Sequence, residues 1–127
     1  MRVADLFYII VLMVRSRQPT LVGGLELAVL LGVARLGQGA YGLEVRRELV
    51  ERSNRDYAIG AVYTTLQRLE DKGFLKSRLS DPLPVRGGRS RRLFTLTGAG
   101  ERALHDAERN AATMWSGVGD LLRPRTS

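Results

Sequence analysis

Gly60-Ala61-Val62-Tyr63-Thr64-Thr65-Leu66-Gln67-Arg68-Leu69-Glu70-Asp71-Lys72-Gly73 has the pattern of a short helix with one buried face and one outward face. At about 100° per residue, Ile59, Val62, Leu66 and Leu69 share one stripe, while Gly60, Ala61, Thr64, Gln67 and Arg68 share the other. The outward stripe begins small and ends basic. A helix that enters the DNA major groove needs small residues at its N-terminal end, so that its backbone can approach the base edges. It also needs hydroxyl, amide or guanidinium groups to read them. An ordinary amphipathic surface helix would show the same two stripes, so the flanking sequence has to separate the two readings.

Downstream, Arg86-Gly87-Gly88-Arg89-Ser90-Arg91-Arg92 gathers four arginines and a Gly-Gly pair without an acid. Phe74 to Leu79 alternates with the period of a half-buried strand, and Arg92 to Thr97 alternates again. Between them Asp81-Pro82-Leu83-Pro84 keeps the chain extended and out of a ladder, and the two glycines allow a sharp turn. Helix, strand, basic loop and strand together describe a wing, whose arginines can lie along phosphates or enter a narrow minor groove.

Composition points the same way. Twenty Lys plus Arg against thirteen Asp plus Glu give the 127-residue chain a formal charge of +7, which suits a polyanionic partner. Arginine greatly outnumbers lysine, favouring planar, bidentate contacts to phosphate and guanine. Cysteine is absent, which excludes disulfides, thiolate metal sites and cysteine nucleophiles and is consistent with a reducing cytoplasm. The single His105 has only Asp106 and Glu108 beside it, so the chain is read as a non-enzyme without a cofactor or metal.

The remaining elements frame the reading helix. Leu25 to Leu36 is apolar almost all round and stops at Gly37, as a central buried helix would. Tyr41 to Ser53 carries Tyr41, Val45 and Leu49 at successive i+4 positions, with Glu44/Arg47 and Glu48/Arg52 as supporting pairs. Asn54-Arg55-Asp56-Tyr57 supplies the turn into the reading helix. Gly37-Gln38-Gly39-Ala40-Tyr41-Gly42 matches a dinucleotide-binding pattern, but a helix precedes it where that motif needs a strand. The glycines are therefore read as a helix stop and a tight turn.

At the ends, Leu6 to Val14 is a run of nine apolar residues, too short for the roughly twenty of a membrane span. It is read as an N-terminal extension over residues 1–20 that packs on the body or across a dimer, so no membrane partner is expected. From the N-cap Thr97, a helix over residues 98–122 is expected, followed by a tail at 123–127. Leu104, Ala107, Ala111, Met114, Val118 and Leu121 follow the 3,4,3,4,3 rhythm of a helix–helix seam, flanked by Trp115. These residues are the expected homodimer interface, because a two-fold protein would set two reading helices about one DNA turn apart.

Leu25-Glu26-Leu27-Ala28-Val29-Leu30-Leu31, Tyr41-Gly42, the reading-helix stretch and Arg86-Gly87-Gly88-Arg89 occur in this order, and together they resemble the PadR family of bacterial transcriptional regulators. The resemblance implies an α+β, mostly α fold: a winged helix-turn-helix over residues 21–97 with a C-terminal dimerisation helix. It implies a homodimer that binds an operator in double-stranded DNA, usually as a repressor. Carried onto this chain, it places DNA contacts at Gly60, Ala61, Tyr63, Thr64, Thr65 and Arg68, to which the outward stripe adds Gln67. A backbone contact falls on Tyr41 and wing contacts fall on Arg86, Gly88, Arg89 and Arg91. Some relatives respond to small aromatic effectors, and Trp115 is the residue here that could stack on one. Where the family has a hydroxyl residue to cap the reading helix, this chain has Ala58, leaving Asp56 as the candidate substitute. The same basic wing would also serve an RNA binder or a winged-helix module that docks an acidic protein.

Overall fold

The computed structural model describes residues 23–37, 39–81 and 90–124. The apolar run of residues 6–14, the wing tip at 82–89 and the last three residues lie outside these, so the expectations for the N-terminal extension and for Arg86, Gly88 and Arg89 are not addressed by it.

Helix α1 (Gly24–Leu36) is the spine, with Val29, Leu30 and Val33 wholly buried. A two-residue strand β1 (Ala40–Tyr41) follows, then α2 (Gly42–Ser53) and α3 (Ile59–Asp71). Val45 and Leu49 of α2 and Val62, Leu66 and Leu69 of α3 close on α1, so each amphipathic stripe finds its partner in the same core. The hairpin strands β2 (Leu75–Leu79) and β3 (Arg92–Leu96) add Leu75 and Phe94. Helix α4 (Gly98–Trp115) then crosses back and buries Ala103, followed by a single turn α5 (Val118–Leu121).

Local chemistry explains several boundaries. The α2–α3 turn begins with Asn54 in the left-handed region at φ 56°, its N–H donating to Val50 O. Arg46 fastens that turn: Nε donates to Tyr57 O at 2.6 Å, and Nη2 donates to Asp56 Oδ1 at 3.0 Å. Asp56 is thereby committed to Arg46, and α3 starts at Ala58 without a side-chain cap. Thr97 caps α4 by accepting from Gly100 N, and its hydroxyl donates to Gly73 O, which ties the helix to the α3–β2 turn.

Four expectations change in three dimensions. Among the described residues the sheet has three strands, not two, in the order β1-β3-β2 and all antiparallel; Tyr41 pairs with Leu93, and Leu93 pairs with Arg78. The helix expected over 98–122 ends at Trp115, because Ser116 turns extended and Gly117 takes φ 78°. The seam is therefore interrupted before Val118 and Leu121. Of the two supporting pairs on α2, Glu48–Arg52 forms at 3.0 Å, whereas Glu44 turns to accept from Tyr41 N at 3.4 Å. The fourth change, at Thr65, belongs to the reading helix.

Candidate nucleic-acid interface

Helix α3 presents Gly60, Ala61, Thr64, Gln67 and Arg68 to solvent along one stripe. Gly60 has open space around it among the described residues, which leaves the start of the helix accessible to an approaching surface. Gln67 Nε2 donates to Asp71 Oδ1 at 3.1 Å, an exposed bond that water or a base edge can replace. Thr65 does not belong to this stripe. It is 4% exposed and its hydroxyl donates to Ala61 O at 2.7 Å, so it packs with the core and has no free group to read DNA. The signal was present in the sequence, since Thr65 lies three residues after Val62 and four before Leu69.

Tyr63 lies at the edge of the stripe, 47% exposed, with its ring packed against Gly42 at the start of α2. Beside Gly42 stands half-buried Tyr41, and the Arg91 guanidinium lies 4.2 Å over the centre of its ring. The contacts thus run from α3 through Tyr63, Gly42 and Tyr41 to the base of the wing at Arg91. Two elements distant in sequence meet there because β1 pairs with β3.

The expected dimer residues divide in two. Leu104, Ala107 and Ala111 line an open apolar groove of about 710 Å³ between α1 and α4, with Leu27 and Leu31 opposite and Glu101, His105 and Glu108 also lining it. Met114, Trp115 and Leu121 lie further out, 77%, 63% and 81% exposed, and Val118 is half-buried. Trp115 does not line the groove. Leu122, which sequence reasoning passed over, is 67% exposed on the same short turn. No described helix is long and apolar enough to cross a membrane.

Three helices, a three-stranded sheet with a basic hairpin and an outward stripe on α3 define a winged helix-turn-helix protein. Residues 30–106 match the family model described as the transcriptional regulator PadR-like family, and the chain belongs to that family. It is accordingly a transcriptional regulator of a DNA-binding family.

Solved structures share the fold. A PadR family transcription regulator from hypervirulent Clostridium difficile R20291 is 24% identical with a TM-score of 0.67, covering 80% of this chain and all of its own. A PadR-like regulator from Bacillus cereus is 20% identical with a TM-score of 0.64, covering 80% of this chain and 93% of its own. A PadR family regulator from Eggerthella lenta is 23% identical with a TM-score of 0.62 and covers 96% of each chain. No curated protein matches the chain.

Proposed function

We propose that the chain is a cytoplasmic homodimeric repressor that reads a two-fold operator with α3 and grips the flanking phosphates with Tyr41 and the wing. The observation that carries this reading is the exposed stripe Gly60, Ala61, Thr64, Gln67 and Arg68, continuous through Tyr63 and Gly42 with the Arg91–Tyr41 stack. Small residues admit the backbone to the major groove, Arg68 offers two donors and Gln67 a donor and an acceptor for bidentate base contacts, and Arg91 supplies sequence-independent attraction. Arg86, Gly88 and Arg89 extend the wing contact in this reading.

A second copy packs against α4. Apolar residues left as exposed as Met114, Trp115 and Leu121 are otherwise a solubility liability, and dimerisation covers them. Trp115 is the side chain offered there to a small aromatic effector.

The test is binding to the duplex upstream of the protein's own gene, at two salt concentrations and against a scrambled competitor of equal length. Competitor-resistant binding with a two-fold footprint supports the reading. Binding that the scrambled duplex competes away equally at every salt leaves a generic polyanion site and favours RNA or an acidic protein partner.

A further inference from the structure

The outward face of the sheet holds a cationic side chain that neither the sequence motifs nor the reading helix singles out. Lys76 and Arg78 alternate to this face of β2, with Leu93 and Thr95 beside them on β3, around a shallow trough of about 290 Å³. Arg78 is exposed but lies along the sheet surface. A Cβ placed on Gly39 would stand 3.6 Å from Arg78 Nη2 and 3.4 Å from Leu93 Cδ1, so the Arg78 stem lies across β3 and its guanidinium reaches the β1 edge. Gly39, at φ 78°, has no side chain to obstruct it.

Two guanidinium groups therefore converge on one short segment: Arg91 over the Tyr41 ring, and Arg78 beside Gly39, two residues earlier. Among the described residues neither has a carboxylate within 4.0 Å, and the nearby Glu44 is engaged with the Tyr41 N–H. Like charges gathered without an intervening acid favour an anion at that point. Tyr41, Leu93 and Arg78 form one cross-strand row. Its two strand spacings span about 10 Å, against one phosphate per ~3.4 Å of axis on each DNA strand. The row is long enough to follow a segment of backbone.

We infer that Arg78 is a DNA phosphate-contact residue that acts with Tyr41 and Arg91, so that the sheet face beside β1, and not only the wing, lies on the duplex backbone. This rests on the DNA-binding reading above and assigns it a residue that reading does not contain. Arg78 contacts phosphate alone and contributes affinity without discrimination between sequences.

The test compares the wild-type full-length chain with Arg78→Gln, Arg78→Lys and the charge-matched control Arg102→Gln on α4, each on the upstream duplex and on a scrambled duplex over a salt series. Thermal melts verify folding; Arg78 is exposed, so its variants should melt as wild type does. The expected result is that Arg78→Gln weakens both duplexes by a similar factor, about tenfold, and lowers the salt slope by about 0.9, while Arg78→Lys keeps most of the slope and Arg102→Gln changes neither. Wild-type slope and affinity in Arg78→Gln, or an equal loss in Arg102→Gln, would overturn the assignment while wild-type operator binding kept the proposed function. A wild-type protein that binds neither duplex would overturn both.

Discussion

The ring of Tyr63 on α3 fills the space that a side chain at Gly42, the first residue of α2, would need: a Cβ there would stand 2.7 Å from Cζ and 3.0 Å from Cδ1. The two helices of the helix-turn-helix are thereby keyed together, and the key lies between the Tyr41 segment and the reading stripe. Gly42→Ala should displace the tyrosine ring, lower stability and weaken operator binding. In a Tyr63→Ala background the same change should cost almost nothing. A double-mutant cycle by chemical denaturation should return a coupling of about 1 kcal/mol; additive effects would mean that the ring moves aside freely.

A harder constraint falls at Gly100. A Cβ there would overlap the Phe74 carbonyl oxygen and stand 2.8 Å from Leu96 Cδ1, and the carbonyl is backbone that cannot rotate away. Gly100→Ala should push α4 off the sheet and cost about 1–3 kcal/mol. Gly98→Ala, two residues earlier, would meet only the Arg102 guanidinium at 3.5 Å and should gain about 0.5 kcal/mol by restricting the unfolded chain. Opposite shifts in melting temperature are expected, and shifts of the same sign would contradict the packing described.

The reading helix begins without a side-chain cap because Ala58 has none to offer and Asp56 is held by Arg46. Ala58 is exposed with extended φ and ψ, the geometry an N-cap hydroxyl requires. Ala58→Ser should therefore stabilise the protein by about 1 kcal/mol in denaturant titration. Unchanged stability would mean that solvent already satisfies those N–H groups equally well.

Within the proposed interface, stripe and wing have separable tasks. Arg68→Ala should erode discrimination between the operator and a scrambled duplex, whereas Arg89→Ala should weaken both and lower the salt slope by about 0.9 for each phosphate that the arginine neutralises. Competition binding over a salt series reads both quantities. Equal loss of discrimination in the two variants would contradict the division.

For the second copy, Met114 is 77% exposed, so a charge there can be tolerated by a single chain but not inside an apolar interface. Met114→Glu should yield a folded monomer by sedimentation or light scattering, with much weaker operator binding. A persistent dimer would move the interface away from the outer half of α4.

Periodicity alone determined the helix order, the hairpin and the outward stripe of α3, because the i+3 and i+4 spacing that sorts Val62, Leu66 and Leu69 from Thr64, Gln67 and Arg68 is a local property of the chain. Residue type located the end of α1 at Gly37 and the cap at Thr97. The motifs of the reading helix, the Tyr-Gly step and the basic wing were enough to mark the family.

Tertiary structure decided how those pieces meet. Two residues are too short to announce a strand, so β1 became visible only through its register with β3, and that register is what brings Tyr41 under Arg91 and Gly39 beside Arg78. The fit of Tyr63 to Gly42 likewise depends on how α2 packs against α3, and the open groove depends on how α1 and α4 face each other. Such contacts join residues far apart in sequence, and they depend on backbone register and helix packing, which no single stretch of residues encodes.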